Sequence, residues 1–383
     1  MRKSLTYKIL AAVLAAGSLG LYAAAPAAAA DDYTVNKDGE IISSGNFDNV
    51  YGNGHSFTIT GGTIGYVYGV GNENYTEDAS GGNVTISGGS VSYVYGGRSY
   101  SDEAHHNTVN ISGDNIWATT VYGGRSYSDE AHHNTVNISG GTVKNDVYGG
   151  RSTDGSAHHN TVNISGSSVS EVYGGSASGS ANDNTVNISG GTIGSDNWPA
   201  YVYGGSASGS ADSNIVNISG GSVRGEVYGG SASGSANDNE IIISGSANIE
   251  NANLYGSNKT NATANTLTID GWKGNTKSVQ NFNDIAFKNI NWNENKPVLT
   301  ITAGSTDDLE NTTIDTIHIA GGSDINVDES KTLIESGNGN DLGLTKNNVT
   351  DTFTAGVARE GLGSTSVNGN VVTFNIDSIK LSS

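Results

Sequence analysis

The residues of this chain best suited to chemistry are three His-His-Asn triplets, His105-His106-Asn107, His132-His133-Asn134 and His158-His159-Asn160. Imidazole nitrogen is a ligand for Zn- or Ni-type cations, and Asp102, Glu103, Asp129, Glu130 and Asp154 stand a few residues upstream. If the three segments stack, equivalent rings lie about one strand spacing, roughly 4.8 Å, apart. A repeated motif also copies its histidines whether or not a ligand selects them. The expectation is therefore no bound metal and no cofactor, with His105, His106, His132, His133, His158 and His159 as the residues a metal would use. Arg98, Arg125 and Arg151 open the same segments, and Asp102, Asp129 and Asp154 are the partners expected to relieve repulsion within an arginine column.

These triplets belong to a repeat that must position them. One signature is an apolar-x-apolar pair at Phe57/Ile59, Val84/Ile86, Val109/Ile111, Val136/Ile138, Val162/Ile164, Val186/Ile188, Val216/Ile218, Ile241/Ile243 and Leu267/Ile269. The other is Val-Tyr-Gly-Gly starting at Val94, Val121, Val147, Val172, Val202 and Val227, with degenerate forms at Val50, Val67 and Leu254. Successive pairs are 24 to 30 residues apart, the range of stacked solenoids. One such unit cannot bury a core alone, so its neighbours must supply the other side. The fold class expected is all-β, a parallel β-helix with coils of about 25 residues.

Strand parity assigns the faces, because alternate side chains point to opposite sides. Asn134, Val136 and Ile138 share the interior with their equivalents, and the buried Asn amides need partners in a ladder. Thr135, Asn137 and Ser139 face out. Gly140-Gly141 and the Gly-Gly of Val-Tyr-Gly-Gly are read as corners. Tyr95, Tyr122, Tyr148, Tyr173, Tyr203 and Tyr228 are expected to stack as a half-exposed column. The closing segments are charged at Arg98–His106, Arg125–His133 and Arg151–His159 but built on SASGSA later, which predicts a thin third side. A longer connection, Gly190 to Tyr201 with Trp198-Pro199, predicts one local bulge. Asp183, Asp212 and Asp238 are read as one loop position, repeated.

Composition bounds the rest. Arg2, Lys3 and Lys8 precede an apolar run and then Ala28-Ala29-Ala30, which reads as a secretory signal over residues 1–30. Its run is shorter than the roughly 20 residues of a membrane helix, so the chain is not expected to span a membrane. Removing it leaves 15 basic against 38 acidic residues, net −23, a balance that disfavours nucleic acid as a partner. With no cysteine, packing and hydrogen bonds alone must hold the fold. Residues 31–56 read as an N-terminal cap, 57–271 as the regular array, and 272–383 as irregular further coils with a C-terminal cap. Short strands remain legible there at 285–287, 298–301, 314–319 and 371–376.

The pattern xVYGGxSxxGxAxxNTVNISGG, followed by a Trp- and Phe-bearing stretch at Trp272 to Trp292, resembles the passenger region of Gram-negative autotransporters of the adhesin type. The resemblance implies export, and secretion or display at the cell surface after cleavage near Ala30. It implies surface glycans or proteins of a host or a neighbouring cell as partners. Such proteins normally end in an outer-membrane barrel of alternating strands of about ten residues, for which nothing up to Ser383 has room. A truncated passenger, a separate outer-membrane translocator, or simple secretion would each account for that.

Parallel β-helices also include polysaccharide lyases and hydrolases, which need clustered carboxylates on an outer face. The outer positions Thr108/Asn110/Ser112, Thr135/Asn137/Ser139, Thr161/Asn163/Ser165 and Thr185/Asn187/Ser189 carry no acid-base pair. GGxGxD calcium repeats, P-loop, zincin and nucleophile-elbow patterns are absent as well. No catalysis is expected, and two or three carboxylates within about 10 Å on one outer face would reverse that. The flat Thr/Asn/Ser face also suits a surface that orders ice. A thermal-hysteresis measurement checks this, with no effect expected because Asn interrupts the Thr spacing.

Overall fold

The computed structural model describes residues 30–195 and 197–381; residues 1–29, where the secretory signal is read, lie outside them. The chain is all β, a parallel β-solenoid of about ten turns with coils of about 26 residues. Among the described residues no helix is long and apolar enough to cross a membrane.

Each coil repeats three runs. The first is a four-residue strand such as Thr108–Ile111, Thr135–Ile138 and Thr161–Ile164, paired in parallel and in register so that Val109, Val136 and Val162 are direct neighbours. The second is longer, as in Ile116–Ser126 and Thr142–Ser152, and places Val121 on Val147 and Tyr122 on Tyr148. The third is thin, as its small residues require. Ala79–Ser80, Ala104–His105, Ala131–His132 and Ala157–His158 form a separate sheet of two-residue strands. The later SASGSA coils have no strand there but keep backbone bonds, such as Ala181 N–H to the Ser210 carbonyl at 2.7 Å, and side-chain bonds, such as Ser210 Oγ to Asn182 Oδ1 at 3.1 Å.

The parity assignment holds. Val136, Ile138, Val143 and Val147 are fully buried, and one continuous apolar core runs from Val35 to Ile376. Beside it runs the Asn ladder. Asn107 Nδ2 donates to Asn134 Oδ1 at 2.9 Å, Asn134 to Asn160 at 3.0 Å, and so on through Asn184, Asn214 and Asn239 to Asn265. Each amide also reaches the backbone: Asn134 Nδ2 donates to the Ala104 carbonyl at 2.8 Å, and its Oδ1 accepts the Asn107 N–H at 3.1 Å. No lone pair or proton of such an amide need go unpaired, which is what burial demands.

The ladder explains the Gly-Gly pairs, and here the corner reading is corrected. Gly141 does turn the chain, with φ +79°. Gly149 and Gly150 instead lie inside the strand Thr142–Ser152, with no left-handed φ. A Cβ on Gly150 would stand 2.6 Å from Asn160 Cγ, and one on Gly149 would stand 2.5 Å from the Gly174 carbonyl oxygen. The pair is glycine because the ladder amide packs flat against it.

The tyrosines stack as expected, from Tyr51 to Tyr255, with centroids 4.6 to 5.6 Å apart. Tyr95, Tyr122 and Tyr148 are buried, as is Tyr68, and so less exposed than expected, whereas Tyr173, Tyr203 and Tyr228 are half-buried as expected. Burial pushes the Tyr68 phenol up to about 12. The arginine partners are also corrected. Among the described residues Arg98, Arg125 and Arg151 form no ion pair with Asp102, Asp129 or Asp154; their guanidinium carbons lie 5.1, 5.2 and 4.9 Å from the ring centres of Tyr95, Tyr122 and Tyr148. Arg98 also donates to Tyr68 Oη at 3.3 Å and Tyr127 Oη at 3.0 Å. A guanidinium laid flat over a ring keeps a partner without needing a carboxylate.

The two ends differ. Asp31–Thr34 already pairs in parallel with Asn46–Tyr51, and Glu40–Ile42 with Phe57–Ile59. At the other end Val371–Leu381 runs antiparallel to both Arg359–Asn368 and Ser330–Ser336, so a hairpin closes the stack and leaves no parallel template there.

Replacing Asn160 by Ala orphans the Asn134 N–H and amide and the Ala131 carbonyl, at about 1–3 kcal/mol for each buried group left unmade. We expect a loss of roughly 3 kcal/mol or more in urea denaturation. Asn163→Ala, on the half-buried outer side, should cost clearly less, and equal losses would contradict the ladder's role.

Candidate functional site

The closing segments bring all six candidate histidines together. His105, His132 and His158 stack with centroids 4.8 and 5.0 Å apart, and His106, His133 and His159 stack beside them at 5.0 and 4.9 Å. Within each coil the two rings meet edge to face, at 82 to 85°. Their Nδ1 atoms converge to 2.6 Å for His105/His106, 2.7 Å for His132/His133 and 2.9 Å for His158/His159.

The backbone makes this possible. His106, His133 and His159 adopt left-handed φ of 52 to 54°, which folds each outer ring back on its neighbour. The conformation belongs to the coil and not to histidine, since Asp183, Ser213, Asp238 and Ala264 hold the same place with φ of 56 to 58°. Asp212 lies one position earlier than Asp183 and Asp238, so these three acids do not form the single repeated position read from the sequence; Asp212 instead accepts from Ser235 Oγ and the Asn237 N–H.

Carboxylates face the opposite nitrogen of the inner column, and each comes from the preceding coil. Asp78 lies 2.9 Å from His105 Nε2, Glu103 lies 3.0 Å from His132 Nε2, and Glu130 lies 2.9 Å from His158 Nε2. Asp102 and Asp129 are turned away and accept the N–H of Glu103 and Glu130. Asp78 was missed from the sequence, because it lies outside the RSYSDEAHH motif. Its signal was its place directly before Ala79, as Glu103 stands directly before Ala104.

A second site occupies the predicted bulge. A groove of about 700 Å³ is lined by Lys144, Asp146, Glu171, Ser195, Trp198 and Pro199 among others. Trp198 is 79% exposed, on a turn closed by the Ser195 N–H to the Trp198 carbonyl at 2.9 Å. Asp146 and Glu171 are direct neighbours on adjacent strands and accept from Tyr148 Oη at 3.0 Å and Tyr173 Oη at 2.7 Å. Lys144 Nζ sits 5.9 Å above the Trp117 ring. Of these residues only Trp198 and Pro199 were singled out from the sequence; the others lie on three different coils.

No family model, curated protein or solved structure matches this chain. Its chemistry therefore rests on the geometry itself: a double imidazole column backed by carboxylates, and an aromatic, charged groove.

Partial burial, then the imidazoles around it, hold His133 below the ordinary histidine value of 6.5. The unfolded chain thus takes up this proton more readily than the folded one. The stability it contributes is full above about pH 6.5 and falls as the pH drops below that value. The His133 N–H donates to the His158 carbonyl at 3.3 Å, so its hydrogen exchange, corrected for the intrinsic rate, should be faster at pH 5.5 than at pH 7.5. Equal protection would show that protonation does not loosen this coil.

Proposed function

We propose that the chain is an enzymatically inert β-helical rod of adhesin or autotransporter-passenger type, secreted or displayed by a Gram-negative cell, that binds surface glycans or proteins through many shallow contacts. The observation that supports this best is the outward face. Equivalent Thr, Asn and Ser side chains recur in register from coil to coil, and the irregular coil adds an exposed Trp198 above a polar groove. Rigid columns of like groups meet a repeating ligand at many points, so weak contacts sum through effective concentration. Trp198 offers a flat apolar ring beside hydrogen-bonding groups, the combination that a sugar ring with one apolar face requires.

One observation favours a carbohydrate-active enzyme instead. Asp146 and Glu171 place two carboxylates on neighbouring strands of an outer face, beside Lys144. Paired positions on adjacent strands lie roughly 4.8 Å apart, close to the roughly 5–5.5 Å between the two carboxyl groups of retaining glycosidases. Each already commits one oxygen to a phenol, which suits a positioned hydrogen-bond acceptor at least as well.

Binding to arrays of immobilised glycans and extracellular-matrix proteins should depend steeply on ligand density. Trp198→Ala should weaken it by roughly tenfold, the usual scale for an aromatic anchor. Density-independent binding, or none, would overturn the multivalent reading. Release of new sugar ends that disappears in Asp146→Asn or Glu171→Gln would establish the enzyme.

A further inference from the structure

We propose that the paired imidazole columns form a binding site for a divalent transition-metal cation of the zinc class. The ligands are the facing Nδ1 atoms of His105/His106, His132/His133 and His158/His159, and Asp78, Glu103 and Glu130 orient the inner rings. Two neutral imidazoles can bring their Nδ1 atoms to 2.6–2.9 Å only if one carries the proton and the other offers its lone pair. In the inner ring the carboxylate at Nε2 settles which, because Nε2–H donates to the carboxylate and leaves Nδ1 bare. A cation then takes the place of the single proton between the two rings, and the outer ring carries that proton on Nε2 instead, so both rings stay neutral ligands. Zinc–nitrogen bonds of about 2.0–2.1 Å at a tetrahedral angle need the nitrogens roughly 3.3 Å apart. The outer rings are exposed, so a small rotation supplies the difference. The remaining coordination positions fall to water.

Duplication of a surface motif accounts for the repeated histidines but not for the pattern of the carboxylates. At hydrogen-bond distance each carboxylate serves the histidine of the following coil. Copying the motif alone would give Glu103 and Glu130 but would leave His105 only the Glu103 carboxylate of its own coil, at 3.8 Å and beyond hydrogen-bond reach. Asp78, in a coil that lacks the motif, supplies the hydrogen-bonded partner. At the other end the position equivalent to Glu130 is Ser156, and the coil that follows carries Asn182 in place of histidine. An acid is therefore present where the next coil has an imidazole to orient, and absent where it does not. A carboxylate on the far nitrogen of a ligating histidine fixes its tautomer and raises its basicity. Glu103, Glu130 and His132 also place ligand atoms within 4.8 Å of one another, which adds negative potential beside the tier where a cation would sit. The tiers are about 5 Å apart, so ions in adjacent tiers repel and filling should stop short of three per chain.

The test is calorimetric titration of the full chain, purified without a polyhistidine tag, with zinc chloride at pH 7.5 and, separately, with magnesium chloride. Saturable zinc uptake is expected. His106→Ala/His133→Ala/His159→Ala should weaken uptake at least tenfold while leaving circular dichroism unchanged. The coil accommodates alanine at this left-handed position, as Ala264 shows. Glu103→Gln/Glu130→Gln keeps every imidazole and should weaken uptake 10- to 100-fold, the usual effect of removing such an orienting partner. Magnesium should give no saturable heat, since imidazole is not its ligand. The proposal fails if the wild-type chain takes up no zinc, if the triple alanine variant binds as tightly as wild type, or if magnesium binds equally, which would mark general attraction to an acidic surface.

Discussion

The rest of the structure depends on one interaction, the buried amide of an asparagine bonded to the same amide one coil away. An unpaired amide in this interior would cost more than most single apolar contacts return, so each coil must present its Asn at the height and angle its neighbour requires. That requirement fixes the register at one point on the circumference. Val136 over Val109 and His132 over His105 then follow at a constant offset from the Asn, and Tyr148 over Tyr122 is recovered after an irregularity in the pairing between Ala118 and Val121. It also dictates composition, since the amide lies so close to the neighbouring strand that Gly149 and Gly150 can carry no side chain.

Register turns a repeated sequence into columns, and each column solves a different problem in the same way. The valines and isoleucines exclude water. The tyrosines bury most of their rings and hold their hydroxyls against arginines in one part of the stack and against Asp146, Glu171 and Glu226 in another. The histidines face each other because the backbone at the coil's last position is left-handed in every copy. Where the array is interrupted, at the Trp198 connection, the outer surface gains relief. A groove of mixed aromatic and charged lining appears there.

The interior was legible from the sequence because two simple rules operate there: a period of two, and the exclusion of unpaired polar atoms. Together they placed Val136, Ile138 and Asn134 on one side. What escaped was decided by neighbours in space. A Gly-Gly pair serves a corner or a close approach equally well, and only the position of Asn160 in the next coil distinguishes them. Arg98 has Asp102 nearby in sequence, yet its direction carries it onto Tyr95. The carboxylate that meets His105 is Asp78, at an offset of one coil that linear inspection of the motif hides. The groove draws its residues from three coils, so its acidic pair is invisible until Asp146 and Glu171 are seen side by side.

The tyrosine column has an optical consequence. From Tyr51 to Tyr255 the rings lie nearly parallel at 4.6 to 5.6 Å, close enough for their electronic transitions to couple, and the twist between successive coils makes that coupling chiral. The near-ultraviolet circular dichroism of the chain is therefore a property of the stack and not a sum over separate phenols. Its amplitude grows with the number of coils in register and falls as coils slip. The protein thus contains its own gauge of how much of its length is assembled.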